Sequence, residues 1–516
     1  MPVRGWRLVC AFVLAFVVLA CRADRVGLAS GYLDPLTRIG AQDEALYSHS
    51  ALRMARQGDW LTPRFLGRYA LYKPPLLLWL AGASVKIFGP SPLALRLPSL
   101  LAGALTGVLV FYWVSRWRSP LAAAAALLLF LLNPLTHILS RMCLTDALLG
   151  LCLLGAMLCW WLDPRLETRA CFWGFALLTA AAILTKSVAG LLPLAAVAAG
   201  RTTAPRRWIA LCLAAAAVAL PWHAYQLAVH PHWFWAEYVQ SELVWFGAGS
   251  PPQTSPESHL GFYLKRLFLT DPALCLLALL AAPAAWRARH SRLLFLWIAA
   301  IAAGILAFRY RNITYLLPLV PSLAILAGCG LPPRVTASAA LLCCLKLAFP
   351  QQPWGLSYPS GSTIPSAPLL ESYAGLRRPT ELILIAPDEH LFSTVLPLPR
   401  VRYCFLGDLS QLPPQPLDFA HLGIAVSAEQ FTQLEKWTPV FRDRLRAMDL
   451  DSAEPIASTI FARDSADVAR IVRSRPSSDF FLPAGLIPDP ETHDLRRVSE
   501  EKVFLFARMR VAQTLQ

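Results

Sequence analysis

The stretch Pro74–Gly89, PPLLLWLAGASVKIFG, decides how the rest of the chain is threaded through a membrane. It begins with two prolines and ends at Gly89 and Pro90, which are start and stop signals for a helix of about four turns. It carries Lys86 and is shorter than the roughly 20 residues needed to cross a bilayer. We therefore predict that this helix lies along the membrane interface and does not cross it.

The chain as a whole is too apolar for a water-soluble protein, since 56% of its 516 residues are hydrophobic. Apolar runs of about 14–20 residues recur from Leu8 to Phe349, each near the length of a membrane span. We predict a polytopic α-helical membrane domain over residues 1–349, with about 11–13 spans surrounded by membrane lipids. The candidate spans are 8–21, 97–114, 121–137, 145–162, 170–185, 187–199, 208–221, 273–286, 293–308, 313–330 and 337–349.

The first apolar run, Leu8–Cys21, follows Arg4 and Arg7 and resembles a signal sequence. The residues 21–24, CRAD, are a poor small-x-small cleavage site, and many spans follow. A retained signal anchor is therefore preferred over a cleaved signal peptide. The ending VLAC leaves a lipoprotein as a further alternative.

Three short arginine-rich loops set the orientation of the spans. If Pro74–Gly89 does not cross and the N-terminus is cytoplasmic, all three loops are cytoplasmic, as the positive-inside rule requires. If it does cross, all three face outward. The first arrangement places the first loop (22–96) and the large loop (222–271) on the external face. The loop arginines are Arg116, Arg118, Arg201, Arg206, Arg207, Arg287, Arg289 and Arg292.

Charge and cysteine content exclude other classes of protein. The net charge of +15 suggests nucleic acid as a partner, but the Lys and Arg residues lie largely in loops, where membrane orientation explains many of them. No nucleic-acid partner is predicted, and an anionic substrate explains others of these charges. Most of the 12 Cys lie inside apolar runs without CxxC spacing, which indicates neither a zinc site nor a disulfide framework.

Asp43 and Glu44 open a predicted helix that ends at Gly58, with Tyr47 one turn after Asp43 on the same face. Two interpretations of these acids remain open. Acidic residues suit the positive end of a helix dipole. Alternatively, a carboxylate held at the depth of the lipid headgroups acts as a general base toward an incoming hydroxyl or amine.

Three further ionisable residues stand at the ends of apolar runs. Lys73 either snorkels to the interface or holds a lipid phosphate. Asp146 is at the edge of a span, where a charge costs little, or it belongs to an external site. Lys186 either marks a tight external turn between two spans or contributes a cation to that site.

The segment 308–321, FRYRNITYLLPLVP, carries two arginines on the predicted outer face. Arg309 and Arg311 there run against the positive-inside trend. Arg311 and Tyr315 are four residues apart and share a helix face. Because arginine binds phosphate through a bidentate fork, the segment favours an anionic ligand.

The large loop 222–271 is rich in Trp, Tyr and His. This pattern is typical of an aromatic belt at the membrane interface, and aromatic rings also stack on sugars. His230 and His232 have no evident third ligand and therefore predict no metal site. His259 with Tyr263 is the better site candidate.

Residues 350–516 differ in composition from the rest of the chain. A linker is followed by alternating β-like and helix-like runs, which predict a small external α/β domain. It shows no catalytic constellation. The β-like runs are 381–386, 400–407, 421–427, 456–462 and 502–508.

Several motifs taken together resemble the GT-C superfamily of membrane glycosyltransferases, and more narrowly the bacterial lipid A aminoarabinose transferase and protein O-mannosyltransferase-like family. They run in family order between residues 30 and 330. No single motif is specific, whereas the DE-x-x-Y, GDW and KPP string followed by the later blocks is. The motifs are DEALYSHSALRMARQGDWLTPRFLGRYALYKPPLLLWL, LRLPSLLAG, SRMCLTDALL, LTKSVAGLLP, SHLGFYLKRLF and RYRNITYLLPLVPSLAIL.

The resemblance implies a sugar donor built on a polyprenyl phosphate, with no nucleotide cofactor, and transfer with inversion on the periplasmic side of a bacterial inner membrane. The acceptor is an envelope component: lipid A, another glycan or a protein. By position, Asp43 and Asp146 match the first-loop and second-loop aspartates, and Lys73 matches the lysine that contacts phosphate. Arg309 or Arg311 matches the basic residues near the sugar donor.

One departure concerns the residue before that lysine, which is Glu in the aminoarabinose enzyme and is implicated in metal binding. Here it is Tyr72. The resemblance therefore leaves both a divalent metal ion and the acceptor open. A transporter or flippase for a lipid-linked or anionic substrate is the main alternative class, and it predicts internal repeats and ionisable residues near mid-span.

Overall fold

The computed structural model describes residues 3–21, 42–65, 68–249, 257–288 and 292–344, together with four strands between 380 and 507. The chain divides into two units. The first contains the helices that hold most of the predicted site residues. The residues of the first unit fall within Met1–Val26, Ser50–Arg64 and Tyr69–Leu356. The residues of the second unit fall within Gly27–His49, Phe65–Arg68 and Ser357–Gln516.

Up to residue 200, the described residues are mainly helical. In order, its elements are α1 (Gly5–Ala20), α2 (Gln42–Gln57), β1 (Arg64–Phe65), β2 (Arg68–Tyr69), α3 (Leu76–Phe88), α4 (Pro92–Ser115), α5 (Pro120–Leu131), α6 (Pro134–Leu139), α7 (Thr145–Leu162), α8 (Arg169–Lys186), a 3₁₀ turn (Ser187–Leu191) and α9 (Leu192–Gly200).

The second half of the membrane domain has the same character and includes one π-helix. Its elements are α10 (Pro205–Val229), α11 (Pro231–Trp233), the π-helix (Phe234–Gly249), α12 (His259–Thr270), α13 (Pro272–Arg287), α14 (Arg292–Ala307), a 3₁₀ turn (Ile313–Leu316), α15 (Leu319–Gly330) and α16 (Pro333–Cys343). The segment predicted as a loop from residue 222 thus begins within α10, and most of its described residues are helical.

Proline and a polar cap fix the starts of several helices. At the start of α4, Ser91 Oγ accepts a hydrogen bond from Ala94 N at 3.1 Å, and Pro92 takes the first helical position. Ser119 caps α5 in the same way through Ala122 N at 3.3 Å. These caps pair N–H groups that every helix start leaves without an intrahelical partner.

The described residues form a multi-pass α-helical membrane protein, as predicted. Five helical stretches of these residues are long and apolar enough to cross a membrane: α4, α7, α10, α8 together with the first 3₁₀ turn and α9, and the second 3₁₀ turn together with α15. The number is six if α12 and α13, bent by 106°, count as one span. Four shorter apolar helices, α1, α3, α5 and α14, accompany them. Even if all four crossed, the described residues would supply ten spans, fewer than the predicted 11–13.

The helix predicted at Pro74–Gly89 is present as α3. It begins after Pro75 and ends at Gly89, whose φ of +81° is a conformation that glycine adopts without strain. Its 13 residues rise about 20 Å, less than the apolar thickness of a bilayer. The length agrees with an interfacial helix, and its orientation in the membrane stays a prediction.

Two of the predicted spans are interrupted. The run 121–137 is divided at Asn133, whose side-chain oxygen accepts hydrogen bonds from Leu135 N at 3.0 Å and Thr136 N at 3.4 Å and starts α6. The run 187–199 starts as a 3₁₀ turn and leaves only nine residues for α9. In both places a local hydrogen-bonding or backbone signal overrides apolar composition.

The backbone is strained at the break after Lys186. Ser187 has φ +51° and ψ −127°, a backbone region that non-glycine residues rarely adopt. The following turn brings Gly190 against the backbone of α8. A Cβ at Gly190 would lie 2.2 Å from Ile183 N and 2.5 Å from Ala182 C.

Gly190→Ala is therefore expected to lower the free energy of unfolding by about 2 kcal/mol, because the new methyl group must displace backbone atoms. Thermal unfolding of the purified protein in detergent measures the change. Gly150→Ala is the matched control, since a Cβ at Gly150, inside α7, meets no atom within 4 Å. Equal stability of the two variants would contradict the close packing of this turn.

In the second unit, the structure describes four strands, β3 (Thr380–Ile385), β4 (Val401–Leu406), β5 (Leu422–Ser427) and β6 (Val503–Ala507). They form a sheet in the order β4-β3-β5-β6. β3 is parallel to both β4 and β5, and β5 is antiparallel to β6. These strands match four of the five predicted β-like runs, while 456–462 and the predicted helices lie outside the described residues.

Candidate functional site

An ion pair between Lys186 and Asp146 lies at the centre of the candidate site. Lys186 Nζ is 2.7 Å from Asp146 Oδ1, and the two side chains are 16% and 9% exposed. α7 and α8 each contain 18 residues and are joined by a short loop. The first turn of α7 and the last residue of α8 therefore come together at one end of the helix pair.

A second ion pair joins Lys73 to Glu242 on the π-helix. Lys73 Nζ donates to Glu242 Oε2, and each side chain is 16% exposed. Glu237, five residues earlier, accepts a hydrogen bond from Leu71 N at 2.5 Å. A π-helix brings residues i and i+5 onto adjacent turns. Glu237 thus holds the backbone of the segment that carries Lys73, and Glu242 holds the ammonium group of Lys73 itself.

Tyr315 connects the two ion pairs. Lys186 Nζ lies 5.0 Å from the centre of the Tyr315 ring, within the range of a cation–π interaction. The Tyr315 hydroxyl interacts electrostatically with both Glu242 and Asp146. One carboxylate of each ion pair therefore lies within electrostatic reach of the same phenol.

The strained turn after Lys186 is held by a hydrogen-bonded chain. The Tyr238 hydroxyl donates to Ser187 Oγ at 2.9 Å and lies 2.7 Å from His223 Nε2. Burial raises the pKa of the Tyr238 phenol to about 12, and the nearby Glu242 carboxylate adds to the shift. The phenol therefore stays protonated at neutral pH and remains a hydrogen-bond donor to Ser187.

Arg311 and Tyr263 form an adjoining cluster with Glu257. Arg311 Nη1 donates to the main-chain oxygen of Glu257 at 2.9 Å, and Asn312 N donates to the Tyr263 hydroxyl at 3.3 Å. Hydrogen bonds from Lys265 and Arg266 hold the pKa of the Glu257 carboxyl below its usual value. Tyr263 also lies within electrostatic reach of Tyr315.

His259 and Arg309 occupy the edge of this region. The His259 ring lies 5.4 Å from the Tyr263 ring in an edge-to-face arrangement, as expected for side chains four residues apart in α12. Arg309 is exposed, whereas Arg311 is partly buried. Of the two predicted arginines, Arg311 is thus the one built into the cluster.

Asp43, Glu44 and Tyr47 lie on the first turns of α2, which begins at Gln42 and ends before Gly58 as predicted. Glu44 is fully buried and Tyr47 is 9% exposed, whereas Asp43 is exposed. Of the two acids that open α2, Glu44 is thus the buried one and Asp43 is the exposed one. These residues belong to the second unit, and their proximity to the ion pairs stays a prediction.

Four residues of this site were not predicted from the sequence. Glu242 and Glu237 lie in a segment whose aromatic composition predicted only a loop. Their five-residue spacing places them on one face only in a π-helix. Tyr238 and His223 gave no signal beyond the aromatic richness of the loop. The pairing of Lys186 with Asp146 had a usable signal, because two spans of similar length joined by a short loop bring their outer ends together.

The residues around Lys73 do not fit the metal ion that the resemblance suggests at this position. Tyr72 supplies a phenol where a carboxylate would be needed. No group of three or more His, Cys, Asp or Glu side chains among the described residues is placed to hold a metal ion. The two lysines can instead stabilise negative charge directly, and the carboxylates can orient or deprotonate a neutral group.

Comparisons with known sequences and structures agree with the predicted resemblance. A sequence model of the family described as dolichyl-phosphate-mannose-protein mannosyltransferase matches residues 72–235. The undecaprenyl phosphate-alpha-4-amino-4-deoxy-L-arabinose arabinosyl transferase of Pseudomonas paraeruginosa is 30% identical over 335 residues, which are 60% of this chain and 59% of that protein. That of Edwardsiella ictaluri is 30% identical over 218 residues, 38% of this chain and 39% of that protein.

The crystal structure of ArnT from Cupriavidus metallidurans bound to undecaprenyl phosphate aligns with a TM-score of 0.61. It is 17% identical, and the alignment covers 84% of this chain and 95% of that chain. The two proteins therefore share a fold. The resemblance to the GT-C membrane glycosyltransferases is confirmed, although the chain spans only about two fifths to three fifths of these two curated relatives.

Proposed function

We propose that this GT-C-like membrane protein is a glycosyltransferase that moves a sugar from a polyprenyl phosphate to an acceptor of the bacterial envelope. The observation that carries the proposal is the pair of weakly exposed lysine–carboxylate ion pairs, Lys73–Glu242 and Lys186–Asp146, whose carboxylates both act on Tyr315, in a membrane fold shared with ArnT. Buried cations suit a phosphate leaving group, and buried carboxylates suit the activation of an acceptor.

The sugar donor binds through its phosphate. Lys73 is the main cation for this group, with Arg311 and Arg309 as further basic residues and the Tyr315 hydroxyl as a neutral hydrogen-bond donor. No nucleotide is required, because the polyprenyl phosphate is itself the leaving group. The lysine and arginine charges stabilise the negative charge that grows on the phosphate as the sugar departs.

In the reaction, the bond between the anomeric carbon and the phosphate oxygen breaks, and its electron pair stays on the phosphate. A new bond forms from the acceptor oxygen or nitrogen to the opposite face of the sugar, which inverts its configuration. Asp43 takes the acceptor proton, and Asp146, held by Lys186, orients the reacting groups. We assign Glu44, Tyr47, His259 and Tyr263 as further candidates for contacts with the substrates.

The site lies on the periplasmic face of the inner membrane, beside the interfacial helix α3 and within a polytopic domain that contains the five or six long candidate spans. The segment 350–516 is an external α/β domain. The acceptor is lipid A, another glycan or a protein. The names of the curated relatives favour aminoarabinose on undecaprenyl phosphate as the donor, while the matched family description favours mannose as the sugar and a protein as the acceptor.

The test is the transfer of labelled sugar by the purified full chain in lipid vesicles that contain an envelope fraction. Undecaprenyl phosphate carrying labelled aminoarabinose or mannose is compared with the corresponding nucleotide sugar. We expect label to move from the lipid-linked sugar only. Transfer from the nucleotide sugar, or movement of the lipid across the bilayer without transfer, would refute the proposal, and the latter would support a flippase.

Asp43→Asn is expected to lower the transfer rate by about a hundredfold, the lower end of the contribution of a general base. Glu167→Gln is the control, because it also removes one carboxylate but lies in the exposed loop between α7 and α8. Undiminished transfer by Asp43→Asn would remove the role given to this residue.

A further inference from the structure

We infer that Glu242 sets the affinity for the sugar donor by occupying Lys73, the place that the lipid phosphate must take. The inference rests on the proposed function, since it concerns the same phosphate site. In this structure, Glu242 Oε2 accepts a hydrogen bond from Lys73 Nζ, although 169 residues separate the two in the chain. A carboxylate and a phosphate present similar anionic oxygens, so both compete for the same ammonium group.

The surroundings allow the pair to open without loss of the segment that carries Lys73. Leu71 N is held by Glu237, not by Glu242, and Pro74 and Pro75 restrict the backbone that follows. The backbone beside Lys73 is therefore held independently of the ion pair with Glu242. Both acids project from the π-helix: Glu237 accepts a hydrogen bond from Leu71 N, and Glu242 pairs with the lysine side chain.

Charge balance makes the two anions exclusive at Lys73. One ammonium group neutralises one carboxylate, and both side chains are only 16% exposed. A phosphate that enters while Glu242 remains would leave an uncompensated negative charge in a poorly solvated site, which is strongly unfavourable. Binding of the sugar donor therefore displaces Glu242. The apparent affinity is therefore the intrinsic affinity multiplied by the fraction of molecules in which Lys73 is not paired with Glu242.

The experiment measures the binding of undecaprenyl phosphate to the purified full chain in detergent. Glu242→Gln is expected to lower the dissociation constant by about tenfold, because a neutral amide no longer competes for the ammonium group. Glu167→Gln is the control: it also removes one carboxylate, but an exposed one, and is expected to leave the dissociation constant unchanged. Glu242→Ala is a second variant, and the thermal unfolding midpoint of each shows that it is folded.

A Lys73→Met background separates the inference from the proposed function. In that background, Glu242→Gln is expected to bring no tightening, because the contested cation is absent. Binding that depends on Lys73 but does not tighten in Glu242→Gln or Glu242→Ala overturns the inference alone. Binding that is insensitive to Lys73→Met overturns the phosphate-binding role of Lys73 in the proposed function.

Discussion

Lys73→Met is expected to lower kcat/KM for sugar transfer by about a thousandfold, the upper range for removal of one group that stabilises charge in a transition state. Lys73 is built into the site by Glu242, whose carboxylate accepts its hydrogen bond in a setting where both side chains are 16% exposed. A cation in such a place acts on the phosphate in an environment that screens charge weakly. Initial rates with undecaprenyl-phosphate-linked sugar measure the effect.

The double variant Lys73→Met/Glu242→Gln separates chemistry from folding. The single variant leaves the Glu242 carboxylate buried without its cation, which lowers stability. The double variant removes both charges and is expected to recover the unfolding midpoint without recovering transfer. If the double variant regained the wild-type rate, Lys73 would be a structural residue, and its role toward the phosphate would be lost.

Asp146→Asn is expected to lower the free energy of unfolding by about 4 kcal/mol, the usual cost of removing one partner from a buried ion pair. Lys186 Nζ lies 2.7 Å from Asp146 Oδ1, with side-chain exposures of 16% and 9%. Without the carboxylate, the ammonium group retains only the weaker interaction with the Tyr315 ring at 5.0 Å. Thermal and denaturant unfolding in detergent measure the loss.

A charge-neutral variant tests whether that loss comes from the unpaired lysine. Asp146→Asn/Lys186→Met removes both charges, and we expect most of the lost stability to return while transfer stays low. Glu167→Gln, at the opposite end of α7 and α8, is expected to change stability by less than about 0.5 kcal/mol, because its ion pair with Arg165 is exposed and long at 3.9 Å. If the double variant lost as much stability as Asp146→Asn alone, the loss would come from altered packing and not from the unpaired lysine charge.

The sequence predicted the local features of the site well. Prolines and Gly89 define α3, and the acids before Tyr47 define the start of α2, because caps and backbone restrictions act within a few residues. The position of Asp146 at the start of α7 and of Lys186 at the end of α8 also followed from apolar run lengths. Apolar composition alone failed at Asn133, where a side-chain cap divides a predicted span.

What the sequence by itself determined is the membrane class, the helix boundaries near prolines and glycines, and the residue types able to bind phosphate. Only the tertiary structure decided that Glu242 pairs with Lys73, that the carboxylates of both ion pairs act on Tyr315, and that Tyr238 holds the turn after Lys186. Local signals depend on the backbone of neighbouring residues. Contacts between residues 40 to 169 positions apart depend on helix packing, which apolar periodicity does not specify.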